Sequence, residues 1–467
     1  MSLAMNRQSS AFRRPSRTQP QPEPPEGGTL TVRGVQSLIR GDGQASPALS
    51  RRQFLALGGL SLLASSAFLR ASDEVKKEHP LASFDLEVEA FMRARKVPGG
   101  ALAVVKNRRL VYARGYGWAD REKGAPAKPD TLFRIASVSK PVTAVAVMKL
   151  VEEKKLGLDD KAFQAGSLLP ADGQPPLADP RLREITIRQL LQHTAGWDRD
   201  KSFDPMFRWR EFTKPTVSDC PLNPGRIIQH MLGERLDFDP GTRHAYSNFG
   251  YCVLGRIIEK VSAQGYERFV HEKVLAPAGI KQMRIGASLK PFEGESHYYT
   301  SRDARVGSVF PQVTGKVPEP YGGFCLEALD AHGGWLASVV DLARFAAALD
   351  DPASSPLLKL ETLQTMYAPP PAPAWRKKDG SLDDAFYACG WLVRPVGRQG
   401  RANYWHTGSL PGTSSLLVRR WDGLSWVVLF NQRSRDKNLP DGAIDGALHR
   451  AAAAVKKWPE EDLFARW

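Results

Sequence analysis

With 467 residues, 42% of them hydrophobic and 25% charged, the chain has the make-up of a globular protein and is neither fibrous nor polytopic. Its formal charge of +15 is no nucleic-acid signature: residues 1–72 hold nine arginines against three acidic residues, so +6 sits in the leader and +9 in the rest, without a basic run, an RNA-binding motif or a zinc-finger spacing. Cys220, Cys252, Cys325 and Cys389 are widely spaced, form no CxxC and read as buried small hydrophobes.

Residues 1–49 are rich in Pro, Gly, Gln, Ser and Arg without an apolar period, the composition of a disordered leader. Ser50-Arg51-Arg52-Gln53-Phe54-Leu55 then opens a mildly apolar run that lasts to Leu69. This is the layout of a twin-arginine signal peptide over residues 50–71, which predicts a periplasmic or secreted protein beginning near Ser72. The run is too short and too weakly apolar for a stable membrane span unless the signal stays uncleaved as an anchor.

A catalytic domain is expected over residues 80–467. Phe84, Leu86, Val88, Phe91 and Met92 suit an amphipathic helix, closed by Val97-Pro98-Gly99-Gly100. Ala101–Val105 and Leu110–Tyr116 read as a β-hairpin, and Val138–Leu156 as a largely buried helix that starts at Ser137. Helical patches at Ile187–Gln192, Arg226–Leu232 and Phe249–Ser262 alternate with long Pro- and Gly-bearing connections. A helix over Val339–Leu349, with Ser338 or Asp341 near its start, precedes an exposed loop at Pro369–Ala374. Gly390–Val396, Ala402–His406, Ser414–Trp421 and Leu424–Asn431 are strand-like, Asp422-Gly423 marks a tight hairpin, and a last helix runs from Ile444 to Trp458. Strands at both ends and helices between them predict an α+β fold. It is an antiparallel sheet flanked by helices, drawn from about 80–150 and 330–467, with a mostly helical lobe, 151–329, inserted.

The chemistry starts at Ser137-Val138-Ser139-Lys140. Positions three apart share a helix face, so the Lys140 amine reaches the Ser137 hydroxyl, and the helix N-terminus adds backbone N–H donors and partial positive charge. A lysine that loses its proton through burial would be a proton acceptor for the serine. Ser-x-x-Lys alone is common, and a lone serine there is a helix cap. Two further strings stand behind it in order: Tyr246-Ser247-Asn248 after Asp239-Pro240-Gly241-Thr242, and His406-Thr407-Gly408-Ser409 at the end of an apolar strand.

These three elements resemble the signature of the serine β-lactamase and penicillin-binding protein superfamily, in the branch of class C β-lactamases, D-Ala-D-Ala carboxypeptidases, D-aminopeptidases and related esterases. Ile185–Gly196, Gly333-Gly334-Trp335-Leu336-Ala337-Ser338 and Gly390-Trp391 are similar to strings of the same family. The resemblance implies that Ser137 is the acylated nucleophile and Lys140 its proton partner. Tyr246 would assist attack and protonate the leaving group, as a low-pKa phenol or as a shared proton relay. Asn248 would bond the lysine or the substrate amide, and His406, Thr407 and Gly408 would lie on the strand that flanks the substrate. The backbone amides of Ser137 and Ser409 would form the oxyanion hole. No cofactor and no metal are implied.

Where class C β-lactamases carry a lysine, this chain has His406, only partly charged near neutral pH, and His-Thr-Gly is similar instead to the peptidase and esterase members. The expected activity is that of an exported serine hydrolase acting through an acyl-serine on a small ester or a D-amino-acid-containing peptide. A class C-type β-lactamase, an acyltransferase and a penicillin-binding module that does not turn over remain alternatives. The expected partner is a small-molecule or peptide substrate and no nucleic acid. His193 reads as structural, and His332 as either a cleft residue or a loop residue.

Overall fold

Ala101 to Val105 are apolar at every position, which demands a strand covered on both faces. The structure, a computed structural model, describes residues 79–165, 177–208, 223–300, 303–397 and 400–467. The expected leader, the twin-arginine signal and Cys220 lie outside the described residues. The apolar run is the middle of β1 (Gly99–Lys106), which pairs antiparallel with β2 (Arg109–Asp120). Their turn, Asn107-Arg108, holds φ at +49° and +67°, the left-handed pair whose twist matches that of the flanking strands.

β2 pairs with β3 (Ala125–Pro126). A small second sheet is formed by β4 (Phe133–Arg134), β5 (Arg284–Ile285) and β6 (Trp335–Ala337). The C-terminal strands are β7 (Phe386–Tyr387), β8 (Leu392–Pro395), β9 (Ala402–Leu410), β10 (Thr413–Arg419) and β11 (Leu424–Phe430). The large sheet has the order β3-β2-β1-β11-β10-β9-β8-β7. Because β1 and β11 are neighbours, the two distant ends of the described chain close one sheet.

The helices that matter here are α1 (Ala82–Arg95), α2 (Ser139–Glu152), α3 (Ile187–Leu191), α4 (Pro205–Arg208), α5 (Pro224–Leu232), α6 (Asn248–Ser262), α7 (Val339–Leu349), α8 (Leu360–Tyr367) and α9 (Ala443–Ala453). Leu102, Val104, Trp426 and Val428 face one core layer with Phe84 and Val88 of α1 and Leu448 of α9. Their neighbours Ala101, Ala103, Val427 and Leu429 face the other layer, with α2 and α7. The α+β fold therefore appears as expected, and α2 is buried continuously from Ser139 to Met148. α7 starts in a reciprocal capping box, Ser338 with Asp341, so both residues proposed for its start take part.

Several elements differ from the sequence reading; α2, expected over Val138–Leu156, runs only from Ser139 to Glu152, with Ser137 in the 3-10 turn before it. β9 runs on to Leu410, so His406-Thr407-Gly408-Ser409 lies inside a strand and not at its end. α8 was not anticipated, since only Leu363 and Met366 of its two turns are buried and no side chain caps it. The last helix stops at Ala453, short of Trp458. Among the described residues no helix is long and apolar enough to cross a membrane.

Candidate active site

The chain leaves β4, turns at Ala136 and enters α2 through a single 3-10 turn, Ala136–Val138, which carries Ser137. Ala136 holds φ at +48°, a conformation that a residue with a Cβ adopts at a cost of about 1 kcal/mol. Hydrogen bonds over-determine it: Ser415 Oγ donates to the Ile135 carbonyl at 2.7 Å and Ser139 Oγ to the Ala136 carbonyl at 2.7 Å. Gly408 of β9 lies against this turn. A Cβ there would stand 2.3 Å from the Ile135 oxygen and 3.1 Å from the Ala136 Cβ, so only glycine lets the strand come this close to the turn that carries Ser137.

One helical turn on, Lys140 is 0% exposed. Its Nζ lies 3.1 Å from Ser137 Oγ, 2.8 Å from Asn248 Oδ1 and 3.0 Å from the His332 carbonyl oxygen. Burial drives its pKa well below the ordinary lysine value; Arg199 acts in the same direction and Asp204 against it. A neutral amine has two N–H bonds and one lone pair. The His332 carbonyl and Asn248 Oδ1 can only accept, so they take the two N–H bonds and the lone pair is left for the Ser137 hydroxyl. Asn248 cannot turn its amide round without loss, because its Nδ2 donates to Asp204 Oδ2 at 2.7 Å.

Tyr246 stands two residues before α6, whose N-cap is Ser247. Its phenol lies on the Ser137 side, and the Lys140 Nζ and the Arg199 guanidinium each lie 4.7 Å from its ring centroid. Burial pushes the Tyr246 pKa up, so the phenol keeps its proton. The low-pKa phenol considered from the sequence is thereby corrected, and the relay form is the one this geometry accommodates.

His406 lies elsewhere than expected. Along β9 the burial alternates, with His406, Gly408 and Leu410 inward and Thr407 and Ser409 exposed. His406 is 2% exposed; its Nδ1 is 2.7 Å from the Thr407 carbonyl oxygen and its Nε2 2.9 Å from Tyr387 Oη. Since the carbonyl only accepts, Nδ1 carries the proton and Nε2 accepts from Tyr387. Burial, reinforced by Lys140, lowers the His406 pKa to about 3. It is a neutral interior group behind the strand and not a partly charged residue beside the substrate.

The cleft in front of Ser137 has a volume of about 480 Å³ and is lined by Asn248, His332, Arg199, Asp204, Ser409 and Arg433. This size suits a small molecule or the end of a peptide. β8 pairs with β9 only from Ala402 to Trp405, so among the described strands none covers that edge of β9 from Thr407 to Leu410. His193, read as structural, packs its ring 4.3 Å from that of Tyr246 and accepts a bond from the Ser247 N–H at 3.2 Å. Sequence reasoning missed Asp204, Arg199, Tyr387 and Arg433. Asp204-Pro205 did carry a signal, an N-cap before a proline, and Asp204 Oδ1 accepts from Met206 N at 3.1 Å; nothing local announced its contact with Asn248.

The fold and the grouping of Ser137, Lys140 and Tyr246 define a serine hydrolase. A model of the Beta-lactamase family matches residues 84–451, and the chain belongs to that family. It is 26% identical over 355 residues to a penicillin-binding protein of Bacillus subtilis (strain 168), covering 75% of this chain and 71% of that one. It is 32% identical over 203 residues to Esterase EstB of Burkholderia gladioli, covering 43% of this chain and 50% of the esterase. Among solved structures, the octameric penicillin-binding protein homologue of Pyrococcus abyssi superposes with a TM-score of 0.58 at 26% identity, over 81% of this chain and 78% of that one. The fold is also that of D-amino acid amidase from Ochrobactrum anthropi SV3, with a TM-score of 0.59 at 23% identity, over 80% and 98% of the two chains.

Proposed function

We propose that this protein is an exported hydrolase that passes an acyl group through Ser137, taking it from a small ester or from a D-amino-acid-containing peptide or amide. The observation that carries the reading is the set of three contacts on Lys140, which turns the lone pair of a neutral amine toward Ser137 Oγ. Lys140 takes the hydroxyl proton while Ser137 Oγ forms a bond to the substrate carbonyl carbon. The carbonyl oxygen becomes an oxyanion, facing the backbone N–H groups of Ser137 and Ser409. An ammonium at the Lys140 site is disfavoured by burial, so its proton moves on. Tyr246 accepts that proton as it gives its own to the leaving group, whose bond to carbon breaks. Water then cleaves the ester on Ser137 by the same proton path in reverse.

The esterase and the penicillin-binding protein among the relatives support acyl transfer to serine. The test is mass spectrometry of the protein after exposure to p-nitrophenyl butyrate, a D-alanyl peptide and a penicillin. A transient adduct on the Ser137 peptide with product release supports the reading; a persistent penicillin adduct without product from any substrate replaces it by a stalled binder.

A specific observation favours the peptide over the simple ester. His406 supplies no cation, but Arg433, which follows β11, reaches the cleft and donates from Nη1 to Ser409 Oγ at 3.2 Å. Its Nε is buried without a hydrogen-bond partner, and burial lowers its pKa. A desolvated guanidinium beside Ser409 suits a substrate carboxylate. Arg433→Ala is expected to raise KM for a D-alanyl peptide about 10-fold or more and to leave KM for p-nitrophenyl butyrate unchanged, as steady-state kinetics would read. Equal changes for both substrates would remove Arg433 from carboxylate binding.

Export rests on Ser50-Arg51-Arg52-Gln53-Phe54-Leu55. Replacing Arg51 and Arg52 by lysine should hold the protein in the cytoplasm on immunoblots of cell fractions, whereas wild-type partitioning in that variant would rule the pathway out.

A further inference from the structure

Lys140 must be neutral to accept a proton, yet it must also hold one during the reaction. Its surroundings decide how that balance is struck. Packed against it are Tyr246 and Tyr251, whose ring centroids are 4.7 and 5.6 Å from Nζ, both with pKa values raised by burial. His193, His332 and His406 also feel its charge, and burial pushes all three imidazoles toward the neutral form. Among the described residues, the other groups acting on Lys140 are Asp204 and Arg199; burial raises the Asp204 pKa, while the bonds from Asn248 and the Met206 N–H and the Arg199 and Lys140 charges oppose that rise.

Asp204 is tied to the amine by two hydrogen bonds in series. Its Oδ2 accepts from Asn248 Nδ2 at 2.7 Å, and Asn248 Oδ1 accepts from Lys140 Nζ at 2.8 Å. Its other oxygen accepts from the Met206 N–H at the start of α4, which anchors the carboxylate to the chain that walls the cleft. Arg199 lies over the Tyr246 ring, its Cζ 4.7 Å from the ring centroid, with its side chain 42% exposed.

We infer that Asp204 is a positioning residue that, through Asn248, aims the Lys140 amine at Ser137, and that the opposing charges of Asp204 and Arg199 set the proton affinity of the amine. The inference rests on the proposed role of Lys140 as the base. It makes the pH at which the enzyme switches on a property of two residues that need not touch the reacting atoms. The sign follows from Coulomb's law. A carboxylate favours the ammonium, so removing it lets Lys140 lose its proton at lower pH; a guanidinium disfavours the ammonium, so removing it does the reverse.

The experiment is the pH profile of kcat/KM for p-nitrophenyl butyrate in wild type, Asp204→Asn, Asp204→Glu and Arg199→Gln, with Ser137→Ala as blank. Asp204→Asn should move the ascending acid limb to lower pH by about one unit. Arg199→Gln should move it to higher pH by less, because water screens the exposed guanidinium. Asp204→Glu, which keeps the charge, should leave the limb near its wild-type place. A residue that merely supports the fold would lower the plateau without moving the limb. Limbs that stay put, or that move in the same direction in folded Asp204→Asn and Arg199→Gln, overturn the inference while leaving the hydrolase reading intact. Should Asp204→Asn fail to fold, the upward displacement in Arg199→Gln decides alone. Activity surviving in Ser137→Ala would instead overturn the reading on which the inference rests.

Discussion

Ser137→Ala is expected to lower kcat for p-nitrophenyl butyrate by a factor on the order of 10⁴ to 10⁶ and to abolish any covalent adduct. Catalytic serine, base and relay act as one unit, so losing the nucleophile costs nearly as much as losing all of them, and what survives is the contribution of binding and the oxyanion donors. The fold should be untouched. Ser137 is half-buried, its hydroxyl is bonded to Lys140, and the strained turn beside it is held by Ser415 and Ser139, which the substitution leaves in place. Ester hydrolysis, intact-protein mass and a thermal melt read the three parts of this expectation. A variant with wild-type activity would place the chemistry at another residue.

Lys140→Met is the second large effect, and it separates activity from stability. The side chain is fully buried, and because burial disfavours its ammonium form, methionine is expected to replace a neutral amine rather than a buried charge. Asn248 Oδ1 and the His332 carbonyl lose their donor, which costs about 1–3 kcal/mol each at a dry site. Activity should fall much further, by roughly 10²–10⁴, since Ser137 then has no proton acceptor along the helix face. Lys140→Arg should do worse for stability than methionine, because a guanidinium cannot shed its charge. Urea unfolding and ester kinetics on the pair give the comparison. If arginine proved the more stable, Lys140 would be charged in the resting enzyme and the proton path would have to start elsewhere.

Much of the site was legible because helices and strands impose periods on side chains. Ser137 and Lys140 meet because three residues make nearly one helical turn, and Val339–Leu349 was readable from end to end because Ser338 and Asp341 cap it. The inward face of β9 was legible in the same way. His406 stands two residues before Gly408 and four before Leu410, and a period of two puts it on the apolar side. Reading the strand as ended at His406 hid this, and the histidine was assigned to the substrate side. α8 was illegible because it has so few buried positions that no period emerges.

By itself the sequence determined the order of the three motifs, the α+β arrangement with the sheet drawn from both ends, and the grouping of Ser137, its amine neighbour Lys140 and Tyr246. These depend on local spacing and on apolar patterning, which are properties of the chain alone. Only the tertiary structure decided the protonation of the site. The Lys140 pKa is pushed well down, that of Tyr246 is pushed up and His406 is withdrawn into the interior because each is desolvated by segments far away in the chain. The partners that complete the base, the Asp204 carboxylate behind Asn248 and the His332 carbonyl, belong there for the same reason. A backbone oxygen has no residue code, and a charge acts through space rather than along the sequence.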